Sequence, residues 1–140
     1  MKLLEKTKAA ELLEQYCEAY KKRDLPLIFK LFTKDCNVWG TAIDEYRTGL
    51  KELAIQHQRD WEQSDKGEIK IVSWVSTPPD ALFAAAVCKA MITIEGKENI
   101  FEHLRGTIAI RKEEGIWKIS HMHASFPDFR NVENGSFPTP

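Results

Sequence analysis

Disulfide scaffolding, a cysteine metal cluster and a long apolar run are all missing from this sequence. Its three cysteines, Cys17, Cys36 and Cys88, are odd in number and lack metal-type spacing. Each lies in an apolar segment, where a free thiol behaves as a small hydrophobe. Reduced core thiols imply a reducing compartment, so a cytoplasmic location is expected. No apolar stretch reaches the ~20 residues of a membrane-spanning helix, so no membrane partner is expected. The N-terminus, Met1-Lys2-Leu3-Leu4-Glu5-Lys6, returns to charge too soon for a signal peptide. Charge of one sign is absent too: 20 lysines and arginines against 21 acids leave a formal net charge of −1. That gives nucleic acid no basic footprint. Gly-rich phosphate loops, dinucleotide fingerprints and nucleophile elbows are also lacking, so no cofactor is expected.

What is present fits one soluble domain. At 140 residues with 43% hydrophobic and 29% charged side chains, the chain can bury a core without staples. Ala9, Leu12, Leu13, Tyr16, Cys17 and Tyr20 repeat at helical spacing, and Lys21-Lys22-Arg23 suits the end of that helix. Asp24 can cap a second helix with Pro26 in its first turn and Leu25, Ile28, Phe29 and Phe32 on one side. A short strand is expected over Cys36–Thr41 and a loop over Ala42–Thr48. A third helix follows, capped by Thr48, with Leu50, Leu53, Ala54, His57 and Trp61 on one face.

From Glu68 the period changes to two. Strands are expected from about Ile69 to Thr77, Leu82 to Ile94, Asn99 to Lys112 and Trp117 to Ser125, separated by Pro78-Pro79-Asp80, Glu95-Gly96-Lys97 and Glu113-Glu114-Gly115. Helices first and a meander afterwards argue for an α+β fold, three helices packed on a curved, mainly antiparallel sheet. The domain should span 1–127, leaving 128–140 as an irregular tail whose Phe129 and Phe137 could pack on the body or on a second subunit. The strand from Leu82 is apolar on both sides, with Ala84, Ala86 and Cys88 on one and Phe83, Ala85 and Val87 on the other. Since helices cover one face, a homodimer through the sheet is expected on the other.

The first helix, Asp24-Leu25-Pro26-Leu27-Ile28-Phe29-Lys30-Leu31-Phe32, Arg105-Gly106-Thr107, Gly115-Ile116-Trp117 and His121-Met122-His123-Ala124-Ser125 form one pattern. On it the chain resembles the nuclear transport factor 2-like superfamily over nearly its full length. The similarity is greatest to the SnoaL-like and calcium/calmodulin-dependent kinase association-domain branches. The resemblance implies a cystatin-like cone or half-barrel, usually dimeric, with a pocket between helices and sheet, but no single activity. In the steroid-isomerase branch a first-helix tyrosine donates a hydrogen bond, and Tyr16 matches it. The aspartate base of that branch is missing: about Gly40 stands in its place, and Thr107–Ile110 offers no second acid. Steroid isomerisation is therefore not expected.

Candidate site residues follow from polar groups in apolar segments. His121 and His123 alternate with Met122, so both rings should leave one side of the last strand, together with Trp117 and Ile119. They could move a proton or hold an anion, or be satisfied histidines of a core or interface. A zinc site would need a third ligand, His57 or His103, and no known spacing supports it, so no metal is expected. Arg105 sits in an apolar strand, where it could anchor a ligand carboxylate or pair with Asp44, Glu45, Asp60 or Glu102. The hairpin register decides its neighbours: a two-residue Glu113-Glu114 loop sets Gly106 opposite His121, and one residue more sets Thr107 there and Arg105 opposite His123. Tyr16 could donate into the pocket. Trp39, Trp61 and Trp74 could wall it, His57 could serve as a base, and the loop carrying Asp44, Glu45 and Arg47 could border its mouth. Each of these also has a plain core or surface reading.

Two functions compete on this basis. One is a small-molecule-binding domain performing cofactor-independent acid–base chemistry (isomerase, dehydratase or cyclase type) on an apolar or carboxylate-bearing ligand. The other is a non-catalytic dimeric ligand-binding or assembly module.

Overall fold

A computed structural model describes residues 6–138 of the chain. The segment 1–5, read above against a leader, and the last two residues of the tail lie outside the described residues. Helix α1 spans Lys8–Lys22. The Thr7 hydroxyl accepts from the Ala10 N–H at 3.1 Å, which satisfies one of the free donors of the first turn. The expected stripe is the buried one: Ala9, Leu12, Leu13, Tyr16, Ala19 and Tyr20. The chain leaves the helix through Arg23 at φ 56°, and the Asp24 carboxylate accepts from Leu27 N–H at 3.1 Å to open α2, Leu25–Leu31.

Helix α2 runs straight into strand β1, Phe32–Trp39, four residues earlier than the apolar run at Cys36 suggests. The segment expected as a loop holds a three-residue strand, β2, Tyr46–Thr48, antiparallel to the end of β1. Two contacts make that turn close. The Gly40 N–H donates to the Glu45 carbonyl at 2.8 Å, and the Trp39 and Tyr46 rings stack with centroids 4.3 Å apart. Helix α3, Gly49–Glu62, follows. Thr48 stands at its N-cap, but its side chain caps no N–H; instead the Glu52 carboxylate reaches back to accept from the Thr48 N–H at 3.1 Å.

The meander is β3 (Lys66–Trp74), β4 (Phe83–Ile94), β5 (Lys97–Glu113) and β6 (Ile116–Ser125). Its last two links are tight. Glu95-Gly96 and Glu114-Gly115 all have positive φ, 50° and 78°, 52° and 79°, as two-residue hairpin turns matching the strand twist require. The six strands form one open sheet in the order β2-β1-β6-β5-β4-β3. All neighbours are antiparallel except β1 and β6, which run parallel, a pairing that the long stretch of chain between them permits. The helices cover one face, over a core centred on Ile28, Phe32, Leu53, Ile108 and Ile119. This is the α+β, cystatin-like arrangement of three helices on an unclosed, mostly antiparallel sheet.

One register detail redirects the reading of the last strand. The β5–β6 ladder pairs Ile110 with Ile119 but Ala109 with His121, leaving Ser120 as an extra residue whose hydroxyl donates to the Ala109 carbonyl at 3.3 Å. Such a bulge resets the alternation of faces. Ile119, Met122 and Ala124 therefore turn inward, and His121 and His123 turn to the outer face, not to the side of Trp117 and Ile119 as expected. Neither expected register holds: His121 lies opposite Ala109, His123 opposite Thr107, and Arg105 opposite Ser125. In the tail Phe129 meets Phe126 and His103, with ring centroids 6.4 and 6.2 Å away.

Candidate functional site

Between α1, α3 and the inner face of the sheet lies a cavity of about 340 Å³. That size falls in the range of small-molecule sites. Its walls are mostly apolar, including Leu53, Ile92, Phe101, Leu104, Met122 and Phe126. The polar groups come from the two helices and from the strap between β1 and β2.

The helices present them by spacing alone. Tyr16 and Tyr20 are one turn apart on α1, and Gln56 and Asp60 one turn apart on α3, so each pair projects from a single face. Tyr16 Oη lies 2.9 Å from His57 Nε2, and His57 Nδ1 lies 2.8 Å from the Leu53 carbonyl. A carbonyl can only accept, so Nδ1 carries the proton and Nε2 accepts from the tyrosine hydroxyl. Both residues are buried. Burial pushes the His57 pKa down and the Tyr16 pKa well up, so both stay neutral at ordinary pH.

Beside that pair, Asp60 is held from two sides. Tyr20 Oη donates to Oδ2 at 2.8 Å, and Gln56 Nε2 donates to Oδ1 at 2.8 Å. Gln56 is itself oriented by Arg47, whose Nε donates to Oε1 at 3.0 Å. Arg23 ties the helices together below the site, donating to the Trp61 and Ser64 carbonyls at 2.6 and 3.1 Å. It thereby uses main-chain acceptors that the end of α3 leaves free.

Glu45 supplies a second carboxyl from the strap. Its side chain lies against Gly40 so closely that a Cβ at position 40 would collide with it. Burial raises its pKa, the Asp60 charge raises it further, and Arg59, 3.6 Å away, pulls it back only in part. Arg59 is mainly engaged with Asp44, at 2.7 Å. Two carboxyl groups, one held by two donors and one biased toward its protonated form, thus share the wall of an apolar cavity.

Among the expected site residues, Tyr16, Trp39 and His57 line this cavity, Trp39 at its rim. Trp61 supports it without lining it, its ring against Tyr20 and His57. Arg47 acts at one remove through Gln56. Trp74 sits apart, in a shallow groove between α1 and β3. His121, His123 and Arg105 are on the outer face of the sheet, where His121 Nδ1 contacts Asn37 Oδ1. Sequence reasoning gave no site role to Tyr20 or Gln56 and treated Glu45 and Asp60 chiefly as partners for Arg105. The signal was there for the helical pairs: Gln56 and Asp60 flank His57 at a spacing of four. Among the described residues, no group of three or more potential ligands is arranged to hold a metal.

The same architecture recurs in solved structures. A protein from Xanthomonas campestris, assigned provisionally as a calcium/calmodulin-dependent protein kinase II association domain, superposes with a TM-score of 0.73 at 19% identity, over 91% of this chain and 94% of that one. An LEH-like epoxide hydrolase of M. tuberculosis gives 0.67 at 15% identity, over 86% and 84%. A protein with a cystatin-like fold from Caulobacter vibrioides gives 0.63 at 18%, over 84% and 86%. At these identities the likeness concerns the fold. No curated protein sequence matches the chain significantly. The family model described as the SnoaL-like domain matches residues 9–128, and the chain belongs to that family.

Proposed function

We propose that this domain binds a small, largely apolar molecule in the cavity and performs acid–base chemistry on it, with Asp60 accepting and Glu45 supplying a proton. The observation that carries the reading is the placement of both carboxyl groups in one apolar cavity, Asp60 held by Tyr20 and Gln56. A carboxyl biased toward its protonated form, beside a second carboxyl held by two hydrogen-bond donors, can divide the acid and base roles between them. The epoxide hydrolase of the same fold lends support from outside, as does the space over Gly40. The steroid-isomerase pattern asks for an aspartate there, and here the Glu45 carboxyl fills it. Isomerisation, dehydration and cyclisation all fit such a pair.

The test is a screen of small apolar compounds by thermal shift, followed by mass spectrometry of the binders after incubation in deuterated water. Stabilisation should disappear in the cavity-filling variant Ala124→Phe. Conversion or deuterium uptake should fall at least about 100-fold in Glu45→Gln and in Asp60→Asn, the size of a general acid–base contribution. Stabilisation that survives Ala124→Phe would place the ligand elsewhere; turnover that survives both carboxyl variants would remove them as proton carriers.

The dimeric-module reading is favoured by a separate observation, the outer face of the sheet. There Phe83, Ala85, Val87 and Ala109 form an apolar group on β4 and β5, and Trp39 and Tyr46 a second on β1 and β2, with His121, His123, Thr107 and Arg105 in the rows between; Phe83, Trp39 and Tyr46 are each more than 40% exposed. Strands ~4.8 Å apart rising ~3.3 Å per residue give the six-stranded face a projected area of about 900 Å². A standard interface uses about 800 Å² per partner, so the face is large enough to take a second copy of this chain. Val87→Glu, on the outward side of β4, should yield a monomer by sedimentation while retaining the cavity; an unchanged assembly state would exclude this face.

A further inference from the structure

We propose that the cavity selects ligands whose polar end donates hydrogen bonds, an alcohol or ammonium on an apolar body, and discriminates against carboxylates. The proposal rests on the binding reading above and names its ligand class.

Hydrogen-bond accounting around the cavity carries it. The hydroxyl protons of both tyrosines are committed, Tyr16 to His57 and Tyr20 to Asp60. The His57 N–H is committed to the Leu53 carbonyl, and one Gln56 N–H to Asp60. What the inner wall has left over is mainly lone pairs, on the two tyrosine oxygens, on Asp60 and on Glu45, against the second Gln56 N–H, the Glu45 proton where it is present and, behind the wall, the unpartnered Trp61 Nε1–H. The exposed lining residues Thr41 and Gln63 sit at the rim. Spare acceptors in an apolar enclosure are satisfied by a donor from the ligand, and leaving them unmet costs affinity.

The cations give the same answer. Arg23 is spent on the Trp61 and Ser64 carbonyls, Arg47 on Gln56, and Arg59 on Asp44 and Glu45. None of the three lines the cavity. Arg105, the arginine expected to anchor a ligand carboxylate, is on the far side of the sheet, in the outward row with Val87 and Ser125. A carboxylate entering the cavity would face Asp60 at low dielectric without a counter-charge, even with Glu45 protonated. An ammonium would find that counter-charge in place, and a hydroxyl would donate to it.

The experiment compares four molecules sharing one apolar body, 1-naphthylmethanol, 1-naphthylmethylamine, 1-naphthoic acid and 1-methylnaphthalene, binding to the full-length chain by calorimetry. The alcohol and the amine should bind at least about tenfold more tightly than the acid, a difference of about 1.4 kcal/mol. Glu45→Gln and Asp60→Asn should each shrink that preference, by several-fold for the amine. Glu45 is partly exposed, so its variant keeps the comparison usable if Asp60→Asn unfolds. An acid that binds as well as the alcohol overturns the selectivity while leaving the cavity reading standing. If none of the four binds, 1-methylnaphthalene included, the cavity reading falls and the selectivity with it.

Discussion

The Tyr16 hydroxyl donates to His57 Nε2 at 2.9 Å while the Leu53 carbonyl, 2.8 Å away, takes the proton on Nδ1. One ring is thus fixed in one tautomer and kept uncharged, which pins α3 to α1 at the wall of the cavity. Removing the donor leaves a buried acceptor unmet. Tyr16→Phe should destabilise the domain by about 1–3 kcal/mol, read from urea unfolding.

The same pair sets a pH dependence. The folded pKa of His57 lies below its ordinary value, so the unfolded chain binds the proton more readily. Stability contributed by neutral His57 is complete above about pH 6.5 and is lost as pH falls below it, toward the depressed folded pKa. Urea midpoints of wild type and His57→Gln between pH 8 and 5 should converge as pH falls, because only wild type loses this contribution. Parallel pH profiles would contradict the assignment.

Glu45 should behave in the opposite sense. Its folded pKa is raised, so its charged form costs stability above that value and the cost is relieved as pH falls through it, toward about 4.5. Glu45→Gln is expected to be stabilising at pH 7, with the gain fading near pH 4.5. The residue assigned the proton would then be one the fold carries at a cost. Gly40→Ala should displace the same carboxyl by occupying its place, and should impair ligand conversion as Glu45→Gln does.

The two hairpins offer a gain. Glu95 and Glu114 adopt φ 50° and 52°, a region where most side chains are strained and asparagine is tolerated. Glu95→Asn and Glu114→Asn should each stabilise by roughly 0.5–1 kcal/mol. Gly96→Ala and Gly115→Ala should each cost about 1 kcal/mol, since the new Cβ meets nothing within 4 Å and the penalty is conformational alone. Thermal unfolding of the four variants checks both signs.

Burial pushes the Cys17 thiol up to about 12 and the Cys36 thiol up to about 11, and raises Cys88 as well. At pH 8 a thiolate-seeking reagent such as DTNB should therefore leave the folded protein nearly untouched and titrate three thiols after denaturation. Fast labelling of a native thiol would show that its surroundings open.

The sequence by itself determined the elements and the layers. A stripe such as Leu12, Leu13, Tyr16 and Tyr20 has one low-energy solution, a helix with that face covered. Glu-Gly turns between alternating runs enforce hairpins, and Gln56 and Asp60, four apart, must share a helix face. Only the tertiary structure decided which side of the last strand looks inward. A period of two carries no absolute face, and the single extra residue Ser120 reverses it, sending His121 and His123 outward and Met122 and Ala124 to the cavity. The short β2 strand escaped notice for a related reason: three residues hold no period, and it exists because Trp39 and Tyr46 meet across a turn. The sequence put Glu45 in a loop able to border the pocket mouth, without placing its carboxyl inside the cavity. Its carboxyl reaches the cavity because Gly40 leaves room for it, a fact about two backbones in space.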